Sequence, residues 1–445
     1  MARSVSPAQP VSRWAIMVVP VICWLALISD GYDLFSYGAT LPGLIDADPW
    51  HITAAQGGLV GSLSLIGMLA GSLVAGTLTD ILGRRRLFLF SVALFSVAMI
   101  GCAISPSFAV FGACRFITGF GVGGLLPTAV AMASEFADPR YRSRILGAVL
   151  TGPPVGGLLA SIAAIYLVPG GDFRWVYAIG AAALIVVLPL AVVALPESPS
   201  FLRSRGRTAE ADRIALAHGL PIPSGTAPAK AAGHAGSPVK LLFRPGYSGP
   251  TVGLWAVNLC SLLVSFGVST WLPQIMRSAG YALGSALTFL LVYNVGAIVG
   301  TLLASTLAER IGAKYLVLIG FGSAAVALAL LGTHPPMALL LILIAVTGFG
   351  GLGTQNMLND HVAGFYPADA RATGLGWALG VGRLGAIAGP TYGAFFVAAG
   401  ASVVVSAPSF AAPALIGAAI MSFLPRRGPV TPTEAAAEVD FIAAH

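Results

Sequence analysis

Two aspartates, Asp30 and Asp33, stand inside an otherwise apolar run from Trp14 to Leu44. A charged side chain at the centre of a bilayer-spanning helix costs about 2.5–3.5 kcal/mol on insertion scales. Three residues apart, the two carboxylates share one helix face, so the cost falls on a single stripe. Low dielectric and a neighbouring like charge both oppose the ionisation of a second carboxylate. One of the pair is therefore a natural proton carrier; the alternative is a structural ion pair with an arginine on another helix. Two arginines also fall within apolar runs. Arg383 lies twelve residues past Arg371, near the middle of its run. Its planar guanidinium can hold a carboxylate through two parallel hydrogen bonds, or it could pair permanently with Asp30 or Asp33. Arg115 reads nearer the end of its run and could either steady the proton site on the first helix or receive an anion.

Other polar residues in apolar surroundings are weaker candidates. Glu135 closes the fourth run near Arg140 and Arg142, placed for a gate salt bridge or a proton relay. Asn258, Ser261, Ser265 and Ser269 recur at helical spacing, suited to lining a cavity or to hydrogen bonding between helices. Tyr32, Tyr293, Asn294, Gln355, Asn356 and Trp377 could cradle an aromatic ring or its hydroxyl, or simply pack. Asp360-His361 reads as a wetted interface pair, although a histidine there could titrate near neutral pH.

The elements that must carry these residues follow from composition. The chain has 445 residues, 57% hydrophobic and 9% charged, against about 25% charged for soluble domains. A mean hydropathy of +0.87 makes it a polytopic membrane protein. A span needs about 20 apolar residues. Twelve runs qualify, at 14–41, 54–79, 86–105, 108–136, 143–168, 174–195, 250–274, 283–308, 314–333, 337–362, 371–398 and 402–424. The first is too long for a cleaved signal peptide, with no small-residue cleavage site before the aspartates. The net charge of +7 does not point to nucleic acid, because the basic residues lie between apolar runs. Cys23, Cys102, Cys114 and Cys260 lack metal-ligand spacing and read as buried reduced thiols rather than as a Cys102–Cys114 bridge. No nucleotide-binding loop or metal cluster is present, so neither an enzyme nor an ATP-driven pump is expected, and no cofactor.

Basic residues set the expected orientation. With the N-terminus in the cytoplasm, 20 of the 24 lysines and arginines fall on the inner side and only Arg174 and Arg277 outside. Both termini are then cytoplasmic, which suits an even span count. Residues 196–248 form the longest polar segment, with seven basic and three acidic residues. Pro221 to Pro238 reads as a disordered linker rich in Ala, Gly and Pro, and Leu202 to Leu216 as a short surface helix. The segment divides the chain into a bundle at 1–195 and another at 249–445, the latter ending in a short cytoplasmic tail.

The two parts repeat. A shift of 229 residues carries Gly67, Gly71 and Gly83 onto Gly296, Gly300 and Gly312, and Thr118-Gly119-Phe120-Gly121 onto Thr347-Gly348-Phe349-Gly350. The same shift carries Arg142, Gly147 and Gly156 onto Arg371, Gly376 and Gly385. Parallel six-span repeats are a transporter architecture, with the site near the midplane at the repeat interface. The expected fold is all-α, with twelve transmembrane helices in two pseudo-symmetric bundles.

Several motifs narrow the class. Gly76-Thr-Leu-Thr-Asp80-Ile-Leu-Gly83-Arg84-Arg85-Arg86 resembles the inner-loop signature G-x-x-x-D-R-x-G-R-R of the major facilitator superfamily, with Ile81 in place of its first arginine. A weaker copy runs from Ser305 through Glu309, Arg310 and Gly312 to Lys314. Acids near a helix end and nearby cations can latch helices together, so Asp80, Arg84, Arg142, Glu309, Arg310 and Arg371 are gating candidates. Pro196-Glu197-Ser198-Pro199 resembles the P-E-S-P motif of sugar porters and related anion symporters. Arg115 through Gly121 matches the superfamily's R-x-x-x-G-x-G, and Gly152-Pro153-Pro154-Val155-Gly156-Gly157 matches the G-P-x-x-G-G often linked to antiporters.

Asp30-Gly31-Tyr32-Asp33 with Gly38 and Pro42, Glu135 with Arg142, and the stretch from Tyr366 to Pro390 around Arg383 together resemble the aromatic acid:proton symporters of that superfamily. The resemblance implies uptake of benzoate-type carboxylates with protons through an inner-membrane protein working as a monomer. Asp30, Asp33 and Glu135 would couple protons, and Arg383 and Arg115 with the aromatic and amide residues above would bind substrate. Two alternatives stand beside it: a proton-driven drug or metabolite exporter, which the fifth-helix motif favours, and a non-transporting membrane sensor. Buried arginine argues for anionic cargo.

Overall fold

In a bilayer every backbone N–H and C=O must be paired within the protein, and for apolar runs of this length only helices achieve that. The computed structural model describes residues 13–46, 50–138, 140–171, 173–220, 238–333, 335–367 and 370–426, and these contain no strand. The first four spans are single helices: α1 (Arg13–Asp46), α2 (Ala54–Leu82), α3 (Arg84–Ile104) and α4 (Phe108–Phe136). The fifth breaks into α5 (Arg142–Val149) and α6 (Gly152–Leu167), because Pro153 and Pro154 supply no N–H to the preceding turn. The sixth is α7 (Arg174–Gly180), one 3-10 turn at Ala181–Leu184, and α8 (Val187–Ala194), the irregular turn preceding Pro189.

The polar segment holds two short helices, α9 (Pro199–Ser204) and α10 (Thr208–Ala217), where the sequence suggests one. Gly206, at φ +76, makes the break. The expected linker lies outside the described residues at 221–237, as does the tail from 427. A short helix α11 (Pro238–Leu242) precedes the second set of spans: α12 (Ser248–Ser278), α13 (Leu283–Ile311) and α14 (Ala313–Leu331). Next come α15 (Met337–Gly348), one π-helical turn at Phe349–Gly353, and α16 (Thr354–Phe365). The last are α17 (Arg371–Ala398), α18 (Val403–Ser409) and α19 (Ala411–Phe423).

Among the described residues eleven helices are long and apolar enough to cross a membrane. The expected twelfth, α17, is 28 residues long but is not one of the eleven. Its seven glycines and Arg383 dilute its hydropathy.

Contacts group the chain into two units. One comprises the described residues of Met1–Leu34, Ile66–Ala160 and Arg174–Lys230. The other comprises those of Phe35–Leu65, Ser161–Phe173 and Ala231–His445. Glycines set the helix approaches inside each, as small residues do where lipid offers no hydrophobic drive. A Cβ on Gly67 would collide with the Phe116 carbonyl, and one on Gly296 with the Ala345 carbonyl. These two contacts differ by 229 at both ends, so the repeat read from sequence is a repeat of packing. Gly83 and Gly312 likewise share one positive-φ conformation, at φ +92 and +85.

In the first unit, Gly31 lies against the Pro153 carbonyl, and Gly156 against the Ile28 carbonyl and the Tyr32 amide. Gly156→Ala is therefore expected to cost about 1–3 kcal/mol through overpacking, lowering the melting temperature in detergent. Gly147→Ala, where a Cβ meets nothing within 4 Å, should leave it unchanged. Cys23, Cys102 and Cys260 are buried, Cys114 is half-buried, and all four are free.

Candidate functional site

Helix α1 holds its aspartates where glycine and tyrosine lock the backbone. The close approach of Gly31 to α6 fixes one side. On the other, the Tyr32 hydroxyl donates to the Val176 carbonyl of α7 at 2.8 Å. Asp30 and Asp33 are both buried. Asp33 forms an ion pair with Arg115 of α4, and the residues are 0% and 1% exposed. Arg115 Nη2 also donates to the Asp33 carbonyl at 3.4 Å, and the guanidinium lies 5.9 Å from the Tyr177 ring centroid. Arg115 is thus paired with Asp33, on the first helix. Adding a proton to Asp33 would neutralise the charge that Arg115 faces, which makes the pair chemically able to report proton occupancy to α4.

A second charged cluster forms where α2 meets α3. Glu135 pairs with Arg84, and the hydroxyls of Ser198 and Ser200 donate to it. Its partner is Arg84 and not its sequence neighbour Arg142, which bonds the Ser134 hydroxyl. Glu197 accepts from the backbone amides of Arg84 and Arg85 at 2.9 and 3.0 Å. It thereby caps the exposed N–H groups at the start of α3 with a negative charge, where the helix dipole favours one. Gly83 makes room, since a Cβ there would meet the Glu197 carboxylate. Arg205 donates to the Asp80 and Ile81 carbonyls at 2.8 and 3.1 Å, closing the end of α2. The Asp80 side chain is itself exposed. Glu197, Ser198, Ser200 and Arg205 carry no role in the sequence reading above; for the first two the P-E-S-P motif is the available signal, because its acid and its one hydroxyl are what the cluster uses.

The counterpart in the second repeat is different. Arg310 and Arg371 are exposed, and the Glu309 side chain lies outside those described. Lys314 donates to the carbonyls of Ser422, at 3.0 Å, and Leu424, capping α19.

In the second unit, α17 lies along α12 on a stripe of glycines. Cβ atoms on Gly385, Gly389 and Gly393 would strike the Leu259 carbonyl, the Leu263 carbonyl and the Trp271 ring. Trp271 Nε1 donates to the Pro390 carbonyl at 2.7 Å. This seam fixes the backbone that carries Arg383, which is half-buried. Asn258, Ser261, Ser265 and Ser269 are all buried. Ser265 bonds the Ser261 carbonyl at 2.8 Å, and the buried Tyr293 hydroxyl reaches the Ser265 carbonyl at 3.3 Å. Asn294 and Gln355 are buried as well. Gln355 donates to Asn258 Oδ1 at 3.0 Å and to Asn359 Oδ1 at 2.8 Å. Asn356, one residue on, is exposed. Trp377 is 46% exposed and stacks on Trp255 at 5.5 Å, so it is held by another aromatic ring. Asp360 is exposed, but His361 is buried rather than wetted.

Among the described residues no group of three or more His, Cys, Asp or Glu is placed to hold a metal ion.

The family model described as Major Facilitator Superfamily matches residues 23–390 and 254–443. A gentisate transporter from Corynebacterium glutamicum is 34% identical over 409 residues, covering 91% of this chain and 87% of its own. A benzoate transport protein from Acinetobacter baylyi is 33% identical over 389 residues, covering 85% and 82%. Among solved structures, the partially occluded inward open xylose transporter XylE from E. coli superposes with a TM-score of 0.71. It does so at 20% identity over 92% of this chain and 99% of that one, a likeness of fold. By sequence along nearly its whole length, and by fold, the chain belongs to the Major Facilitator Superfamily.

Proposed function

We propose that the protein is a proton-coupled secondary transporter of the inner membrane that imports aromatic carboxylates by alternating access. The buried Asp33–Arg115 pair carries this reading: charge buried among apolar helices is expensive unless used, and this one can be switched by a proton. Relatives named as transporters of gentisate, benzoate, gallate and 4-hydroxybenzoate support the substrate class. Asp33 with Asp30 takes the proton, Arg383 engages the carboxylate, and the Arg84–Glu135 cluster acts as a gate. The two repeats, 1–195 and 249–445, are the moving bodies, joined through 196–248, with both termini cytoplasmic.

Coupling has a plain energetic reason. A negative interior opposes entry of an anion by about 2.3 kcal/mol per charge per 100 mV. One accompanying proton cancels that term, and a second makes uptake electrogenic. The motif Gly152 to Gly157, which favours an exporter, is accounted for by packing: Gly152 and Gly156 lie against Leu27, Ile28 and Tyr32.

The test is uptake of labelled 4-hydroxybenzoate into proteoliposomes with and without an inward proton gradient. The expected result is accumulation above the external concentration only with the gradient. Indifference to the gradient would reject symport, and transport of lipophilic cations in place of benzoates would favour the exporter.

A further inference from the structure

The amide cluster of the second unit has its hydrogen-bond directions fixed by the backbone. Asn258 Nδ2 donates to the Leu254 carbonyl at 3.0 Å. A carbonyl can only accept, so the other end of Asn258, Oδ1, must face Gln355. That in turn fixes Gln355 with Nε2 toward Asn258 and Asn359. Its Oε1 is left as a pure acceptor, buried in a residue 8% exposed, with no donor among the described residues. Ser261, one turn along α12 from Asn258 and fully buried, has a hydroxyl with no partner among them either. A buried polar atom left unpaired costs about 1–3 kcal/mol.

Backbone geometry points the same way. Gln355 follows the π-helical turn at Phe349–Gly353. One extra residue in a turn rotates everything after it by roughly 100° and is frequent at functional sites. The turn is held by tight contacts: a Cβ on Gly351 would sit 2.7 Å from the Tyr293 hydroxyl and 3.3 Å from Ser265 Oγ. The helix is therefore distorted at the place that aims Gln355 inward and leaves Asn356 exposed.

We propose that Gln355 Oε1, with the Ser261 hydroxyl one turn along α12 from its partner Asn258, accepts a hydrogen bond from a phenolic hydroxyl on the substrate ring, which makes Gln355 the residue that reads that substituent. A lone acceptor repels a carboxylate and gains nothing from a bare ring edge. It is satisfied by an O–H on an otherwise apolar body. A site built around such a bond rejects analogues that lack the donor far more strongly than a hydrophobic pocket rejects an added group. The inference rests on the transport reading above and adds to it which ring substituent is read.

The experiment compares initial uptake of benzoate, the three monohydroxybenzoates and the matching fluoro- and methoxybenzoates, which cannot donate. Wild-type protein is expected to favour at least one hydroxybenzoate over benzoate and its own fluoro and methoxy analogues by about tenfold or more in KM. Gln355→Met should bring that ratio within about twofold. Ser261→Ala should narrow it partially. Equal handling of hydroxy and fluoro compounds by wild-type protein overturns the inference, and needs no variant to fold; it would mean that water satisfies Gln355. A Gln355→Met protein that keeps the full preference overturns it too. Either result leaves the transport reading intact, whereas a wild-type protein that moves no benzoate of any kind overturns both.

Discussion

Asp33→Asn is expected to abolish gradient-driven accumulation while leaving exchange of carboxylate across the membrane. Asparagine resembles the protonated acid in shape and charge, so the variant behaves as if the proton never leaves. Counterflow at equal concentrations needs no net proton movement and should continue. Accumulation needs the proton to be released on the inner side and should fall to a ratio near one. The substitution also leaves Arg115 buried with its counter-charge removed. Breaking a buried pair by deleting one partner costs about 3–5 kcal/mol, so lost accumulation could reflect an unstable protein. Asp33→Asn combined with Arg115→Gln separates the two effects. The double variant should recover thermal stability and keep counterflow, yet still fail to accumulate substrate. Gradient-driven accumulation by the single or the double variant would remove Asp33 from the coupling step.

The same pair shows what a sequence can and cannot disclose about this protein. Asp30 and Asp33 stand out because acidic residues in an apolar run are costly, and that cost is visible one chain segment at a time. Their partner is not visible in this way. Helical periodicity says which residues share a face, but not which of ten or more helices that face meets, so Arg115 and Arg383 were equally eligible for Asp33. Glu135 makes the point again: proximity in sequence suggests Arg140 and Arg142, while the fold brings Arg84 from 51 positions away. Glu197 was legible as a motif and illegible as a cap, because capping depends on where the start of α3 lies relative to the end of α8.

Repetition travelled further. The offset of 229 rests on glycines, and glycines record close helix approach directly, so Gly67 with Phe116 and Gly296 with Ala345 carry the offset into three dimensions. The π-helical turn before Gln355 left no trace in composition beyond a run of glycines. A shift of one residue in hydrogen bonding changes no residue type, and so Gln355 and Asn356 looked alike until one proved buried and the other exposed.

Arg383→Leu is expected to raise the KM for aromatic carboxylates on the order of 10²–10⁴-fold, with a smaller change for neutral analogues. Hydrogen bonds to charged groups contribute about 1.5–3 kcal/mol each, and a guanidinium offers two in parallel to one carboxylate. The glycine seam between α12 and α17 makes the consequence specific: with Gly385, Gly389 and Gly393 against α12, the backbone under Arg383 cannot shift to bring another cation into its place. Arg383→Lys keeps the charge and loses the fork, so it should fall between the wild type and leucine. Binding of 4-hydroxybenzamide, which has the ring and hydroxyl without the negative charge, gives the control, read as a ligand-induced thermal shift. It should change little in either variant if the arginine acts on the carboxylate. Should both ligands weaken together, Arg383 supports the architecture of α17 rather than the anion. Should neither weaken, the carboxylate is held elsewhere, and the symmetry of roles proposed here, proton on α1 and anion on α17, has to be redrawn.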